Sequence, residues 1–251
     1  MKNHKALLFL TVFAALTACN NDDDAPVNSI TTDEAAVIVS SSLASNTSGV
    51  SFVSDKTTGV TEDLLKDNAG GRVNACGVSQ NIAFSGSSPS GATVTFSYDF
   101  SYKFRLECND QNAPSLVSVD LSYSGAFDGP KLKASHSGVS ELDVTGLADT
   151  TKNFLLNGQY KRSGSFENKE QAKSGSSTVE ITLTTLVVNK VTHKIVSGTG
   201  TYLIEGSVPS KGDFKYTGDI TFQGNDAALL IVGGENFTLN LKNGEVSKKQ
   251  S

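Results

Sequence analysis

Two polar residues occupy positions where a β-sheet would carry them inward. His136 alternates in phase with Leu132 and Ala134, and Arg162 in phase with Phe154, Leu156 and Tyr160, so both belong to the face that their apolar neighbours bury. A buried guanidinium is costly without a partner, so Arg162 would need a carboxylate, an acidic ligand or water at the end of the sheet. Two readings are open for the pair. The default is structural, a hydrogen-bonded core histidine and an arginine reaching a rim; the other makes them anchors for a ligand. The remaining candidate lining is aromatic. In VTFSYDFSYKFRLEC, residues 94–108, Phe96, Tyr98, Phe100, Tyr102 and Phe104 share one face with Val94 and Leu106, and Thr95, Ser97, Asp99, Ser101, Lys103, Arg105 and Glu107 share the other.

Other chemistry is harder to find. No HExxH, GxSxG, Walker or Rossmann pattern occurs, so no catalytic residue and no cofactor is expected. His193 follows a turn at Asn189-Lys190, where a solvated role is the default. Asn109, Asp110 and Asn112 crowd one turn, and Asp55, Thr57 and Gly59 loosely imitate part of a calcium loop. Neither has the carboxylate spacing of an EF-hand, and turn-favouring residues explain both. No metal site is expected.

The amino-terminal end carries a different signal. Lys2 and Lys5 precede an apolar run, Ala6 to Leu16, broken only by Thr11. Eleven residues suit the core of a secretory signal and fall short of the ~20 that span a bilayer as a helix. Leu16-Thr17-Ala18-Cys19 then resembles the lipobox of bacterial lipoprotein precursors, a Leu, two small residues and a Cys. That resemblance implies cleavage before Cys19, a diacylglycerol on its sulfur and an acyl chain such as palmitate on the new amino terminus. One chain holds a protein only marginally, whereas two or more anchor it stably. The run Cys19-Asn20-Asn21-Asp22-Asp23-Asp24 is similar to the acidic leaders of surface lipoproteins of the Bacteroidota, which implies display on the outer face of the outer membrane. The plainer reading of the same run is a tether kept off an anionic surface by like charge.

With Cys19 lipidated, Cys76 and Cys108 remain as an even pair in an oxidising compartment, and a disulfide between them is expected. Removing residues 1–18 takes away Lys2 and Lys5 and leaves 19 Lys+Arg against 26 Asp+Glu, a net charge of −7. Without a clustered basic patch, such a chain is a poor nucleic-acid binder.

Four segments are expected: a signal peptide at 1–18, a lipidated Cys and flexible tether at 19–30, a helical lid or plug at 31–72, and an antiparallel β domain at 73–251. Thr31 and Glu34 have capping-box spacing, and Ala36, Val39 and Leu43 fall on one helical face. A second short helix is expected from Thr61 to Asp67, ending at Gly70-Gly71. From Cys76 onward the period is two, with turn residues between the runs, which predicts an antiparallel meander. Long strands favour a barrel or open half-barrel, with a β-sandwich as the alternative. Asp149-Thr150-Thr151 resembles the O-glycosylation signal of Bacteroidota.

Two function classes follow. The first is a non-enzymatic carrier holding an apolar or lipid-like ligand in the barrel, lined by Phe96 to Phe104 with His136 and Arg162. The second is an interaction or structural lipoprotein whose barrel is filled by its own side chains. Both take the membrane as a partner through the lipid, and neither binds nucleic acid. The absence of Trp argues against a platform for sugar rings.

Overall fold

A computed structural model describes residues 28–69, 76–148 and 150–249. The signal segment, Cys19, nearly all of the tether, the Gly70-Gly71 stop and Asp149 lie outside them. Eleven strands among the described residues form one antiparallel sheet in sequence order: β1 (Ser79–Ser87), β2 (Thr95–Cys108), β3 (Pro114–Asp128), β4 (Leu132–Thr145), β5 (Asn153–Asn168), β6 (Lys173–Asn189), β7 (Ile195–Val208), β8 (Gly212–Gly224), β9 (Ala227–Val232), β10 (Glu235–Asn240) and β11 (Val246–Lys248). The sheet curls without closing, since β1 does not pair with β11. It is the open half-barrel, and the single sheet rules out a sandwich.

The alternation in the sequence is what makes these strands long. Along β2 the inward residues Phe100, Tyr102, Phe104 and Leu106 are buried, while the residues between them stay exposed or half-buried. Neighbouring strands repeat the pattern in register, with Tyr102 opposite Leu121 and Phe104 opposite Val119. Curvature comes from register shifts in the β5–β6 and β6–β7 pairs, around Gly158 and around Thr184 to Val187. An extra residue on one strand bends it and increases the local twist.

Helix α1 (Thr32–Leu43), a 3₁₀ turn (Ser45–Thr47) and helix α2 (Val50–Ala69) pack on the sheet as the expected plug. Thr31 and Glu34 close the capping box: the Glu34 amide donates to Thr31 Oγ1 at 3.3 Å and the Thr31 amide to Glu34 Oε2 at 2.8 Å. Ala36, Val39 and Leu43 are fully buried. Several serines and threonines of the plug are buried too, with hydroxyls that donate to the preceding turn of their own helix. Ser41 bonds to the Ile38 carbonyl at 2.7 Å, Thr58 to that of Ser54 at 2.8 Å and Thr61 to that of Thr57 at 2.8 Å. Helix α2 is longer than expected. It begins at Val50 rather than Thr61, since Val50, Val53, Thr57 and Val60 are buried and their packing outweighs weak helix propensity. Asp55, Thr57 and Gly59 therefore lie on a helix and not in a calcium-loop-like turn.

Both ends of the plug are tied to the sheet. Where it enters, the Ser29 amide donates to the Asp213 carbonyl at 3.1 Å and the Tyr216 hydroxyl to the Ile30 carbonyl at 2.6 Å. Where it leaves, Cys76 is disulfide-bonded to Cys108 at the end of β2, as expected. The bridge spans 32 residues of chain, and chain entropy assigns such a loop about 3.7 kcal/mol. Cys108→Ser is expected to lower the unfolding free energy by about that amount in denaturant titrations. An unchanged midpoint would mean that the plug is held without the bridge.

Candidate functional site

The structure brings His136 and Arg162 together, and places the plug against them. Arg162 lies on β5 one strand away from His136 on β4, with Gly138 directly opposite Arg162 and Gly164 directly opposite His136. The glycines make room. A Cβ at Gly164 would stand 3.0 Å from the His136 Cβ, and one at Gly125, across from His136 on β3, 3.2 Å from its Nε2. Arg162 is 5% exposed and His136 7%.

The guanidinium meets backbone carbonyls of the plug and the His136 ring. Arg162 Nη1 donates to the Ser41 carbonyl at 2.5 Å and Nη2 to the Thr47 carbonyl at 2.5 Å. Ser41 is in the last turn of α1, whose carbonyls have no intrahelical donor and where the helix dipole is negative. Arg162 thus caps the carboxyl end of α1 and the end of the 3₁₀ turn with one fork. Phe127 lies under it, 5.5 Å from the guanidinium carbon. Two residues earlier on β5, the Tyr160 hydroxyl donates to the Ser48 carbonyl at 3.3 Å. One strand face therefore holds three carbonyls of the plug.

His136 completes the socket as an acceptor. Its Nε2 is 2.7 Å from Arg162 Nη2. Burial, and then the charge of Arg162, hold the imidazole down at a pKa of about 2, so it is neutral and takes a proton from the guanidinium by hydrogen bonding only. Burial likewise pushes the Tyr123 phenol well above its usual range, and its hydroxyl donates to the Lys161 carbonyl at 3.0 Å. Beside this cluster is a cavity of about 20 Å³, lined among others by Ile38, Ser42, His136 and Arg162, and Arg162 Nε has no hydrogen-bond partner among the described residues. The arrangement clamps a backbone.

The aromatic stripe is also brought together, around α2. Phe52 packs on Tyr98 at 4.9 Å and on Phe100 at 5.2 Å between ring centres, and Tyr102 stacks on Phe104 at 5.3 Å. Phe100, Tyr102 and Phe104 are at most 2% exposed, while Phe96 and Tyr98 stay half-buried at the rim. The plug and the stripe fill one another's space.

His193 is not the solvated side chain expected at its turn. Its Nε2 lies 2.9 Å from Glu62 Oε2 and its Nδ1 4.0 Å from Asp55, so it clasps the β6–β7 turn to α2. Asn109 acts as the turn residue it was read to be, its side-chain oxygen accepting from the amides of Gln111 and Ala113 at 3.0 Å.

A further space was not foreseeable from the residue pattern. A cleft of about 900 Å³ opens between Val94 and Leu132 on one side, Leu239 and Val246 on the other, and Val37 and Thr47 of the plug. Of the expected apolar stripe, only Val94 at its end reaches the cleft. The two walls are distant in the chain, and periodicity carries no information on which strand ends meet across an unclosed seam. No protein-family model, curated protein or solved structure matches the chain.

Proposed function

We propose that this chain is a lipid-anchored, outward-displayed lipoprotein of the outer membrane that works as a non-enzymatic interaction module, its half-barrel filled by its own plug. The observation that carries this reading is the occupied interior: helices α1 and α2 bury their apolar faces on the sheet, and the cavity at the Arg162–His136 socket is about 20 Å³. A lipid-like ligand needs a pocket of roughly 300–1,000 Å³. The anchor rests on Leu16-Thr17-Ala18-Cys19 and the apolar run before it, and the acidic leader supports display outward.

The carrier reading is favoured by the seam cleft of about 900 Å³ with Val94, Leu132, Leu239 and Val246 in its walls. An apolar ligand would then sit at the seam and not between sheet and helices. One experiment addresses both. Protein extracted from its native membrane is expected to partition into detergent and to show its acyl chains and no other bound molecule in native mass spectra. Cys19→Ser should lose the partitioning. An unchanged membrane fraction in that variant overturns the anchor, and a stoichiometric bound lipid overturns the filled-module reading in favour of the carrier.

A further inference from the structure

We propose that β1 is a dimerisation edge, along which two copies of this chain pair antiparallel about a two-fold axis at Ala83 and join their sheets into one. The two edges of the sheet are built differently. Strand β11 is three residues long, contains Lys248 in an ion pair with Glu235, and is followed by Lys249. A short, charged edge is a standard guard against strand addition. Strand β1, Ser-Gln-Asn-Ile-Ala-Phe-Ser-Gly-Ser from 79 to 87, has nine residues, no charge and no proline, and pairs with β2 in an unbroken register. Among the described residues its outer side has no partner strand. Its row of backbone donors and acceptors is therefore free to template another strand.

The composition of β1 selects the partner. Under an antiparallel two-fold centred on Ala83, Ser79 meets Ser87 of the second copy, Asn81 meets Ser85, and Ile82 meets Phe84. Hydroxyls and amides fall together on the exposed face, and the apolar pair on the inner face. Ile82 and Phe84 are now only half-buried at the rim, and a second β1 would cover both. Cross-strand apolar pairs of this kind stabilise a sheet, and no charge stands opposite a like charge. A basic or acidic peptide would find nothing to complement here. Pairing through this edge does not depend on the lipid anchor.

The test uses the full chain in its membrane. At the centre of an antiparallel pair the two Ala83 Cα atoms stand within the ~4.4–6.8 Å that a disulfide spans. Ala83→Cys, treated with copper phenanthroline as oxidant, is expected to give a band at twice the monomer mass that reductant removes. Wild-type protein controls for any free thiol at Cys19, and Ser247→Cys, exposed on the guarded edge, controls for chance collision. Ala83→Lys, whose side chain points to solvent in the single chain, should leave only single copies in native mass spectra of detergent extracts, where wild type shows pairs, while circular dichroism stays unchanged. Equal cross-linking at positions 83 and 247, or a product in which the Ala83→Cys variant is joined to a different protein, overturns the proposal.

Discussion

Arg162→Met is expected to cost about 2–5 kcal/mol of stability, because it leaves buried acceptors without their donor at about 1–3 kcal/mol for each. The Thr47 carbonyl and the His136 ring lose their donor at once, while the Ser41 carbonyl keeps only the Thr47 hydroxyl, at 2.6 Å. For a domain of this size the loss corresponds to a fall of roughly 10 °C in melting temperature. Arg162→Lys keeps the charge but can reach one carbonyl well, so it should fall between. A change of about 0.5 kcal/mol, the scale of an ordinary surface substitution, would show that the socket does not hold the plug. The same site predicts a pH dependence. The folded imidazole of His136 has a pKa of about 2, against about 6.5 in the unfolded chain. Between those values the unfolded state binds a proton that the folded state refuses. The contribution is therefore intact above pH ~6.5 and falls by about 1.4 kcal/mol per unit as pH drops. At pH 5 the protein should have lost about 2 kcal/mol through this group. His136→Gln, which keeps an acceptor for Arg162, should flatten that part of the profile relative to wild type. Parallel profiles would remove His136 from the linkage.

The inward placement of the socket was legible in the sequence, and its partners were not. The phase of His136 and Arg162 with their apolar neighbours placed both inward, where they are found. The guanidinium is met by backbone carbonyls 121 and 115 residues away. A carbonyl has no residue type, and only a carboxylate would have left a mark. The strands were legible because alternation is a property of each segment by itself, and the capping box at Thr31 and Glu34 because it spans three residues. The parity of the cysteines was enough for the Cys76–Cys108 bridge. Helix α2 was read too short because Ser54, Thr57 and Thr58, which precede Thr61, are weak helix formers. The hydroxyls of Thr58 and Thr61 turn back onto helix carbonyls once the sheet has excluded water from them. Glycines in the strands were a usable signal that went unread: Gly138, opposite Arg162, gives the space in which the Tyr123 phenol lies across its neighbour, and a Cβ there would collide with the phenol oxygen.

The plug itself gives the largest expected effect. Val39→Asp with Leu43→Asp would put two carboxylates on fully buried positions of α1. Each buried ion without a partner costs several kcal/mol, so the pair approaches the ~5–15 kcal/mol that holds a whole domain together. The helix could escape this only by leaving the sheet. It would then strip cover from the socket at Arg162 and release the contacts that tie Ser29 and Ile30 to β8. In a self-filled module the sheet has no other cover for Leu230, Leu239 and their rows on β9 and β10, where α1 packs, so strands and helices should be lost together. The double variant is expected to show no cooperative melting transition and amide exchange throughout the strands, even with the Cys76–Cys108 bridge intact. A carrier would answer differently, since a sheet built to open must stand with its helices displaced. Retained strand protection with exchange confined to residues 31–69 would sink the filled-module reading. Loss of protection across β2 to β6 together with α1 would mean that the helices are the missing half of the core.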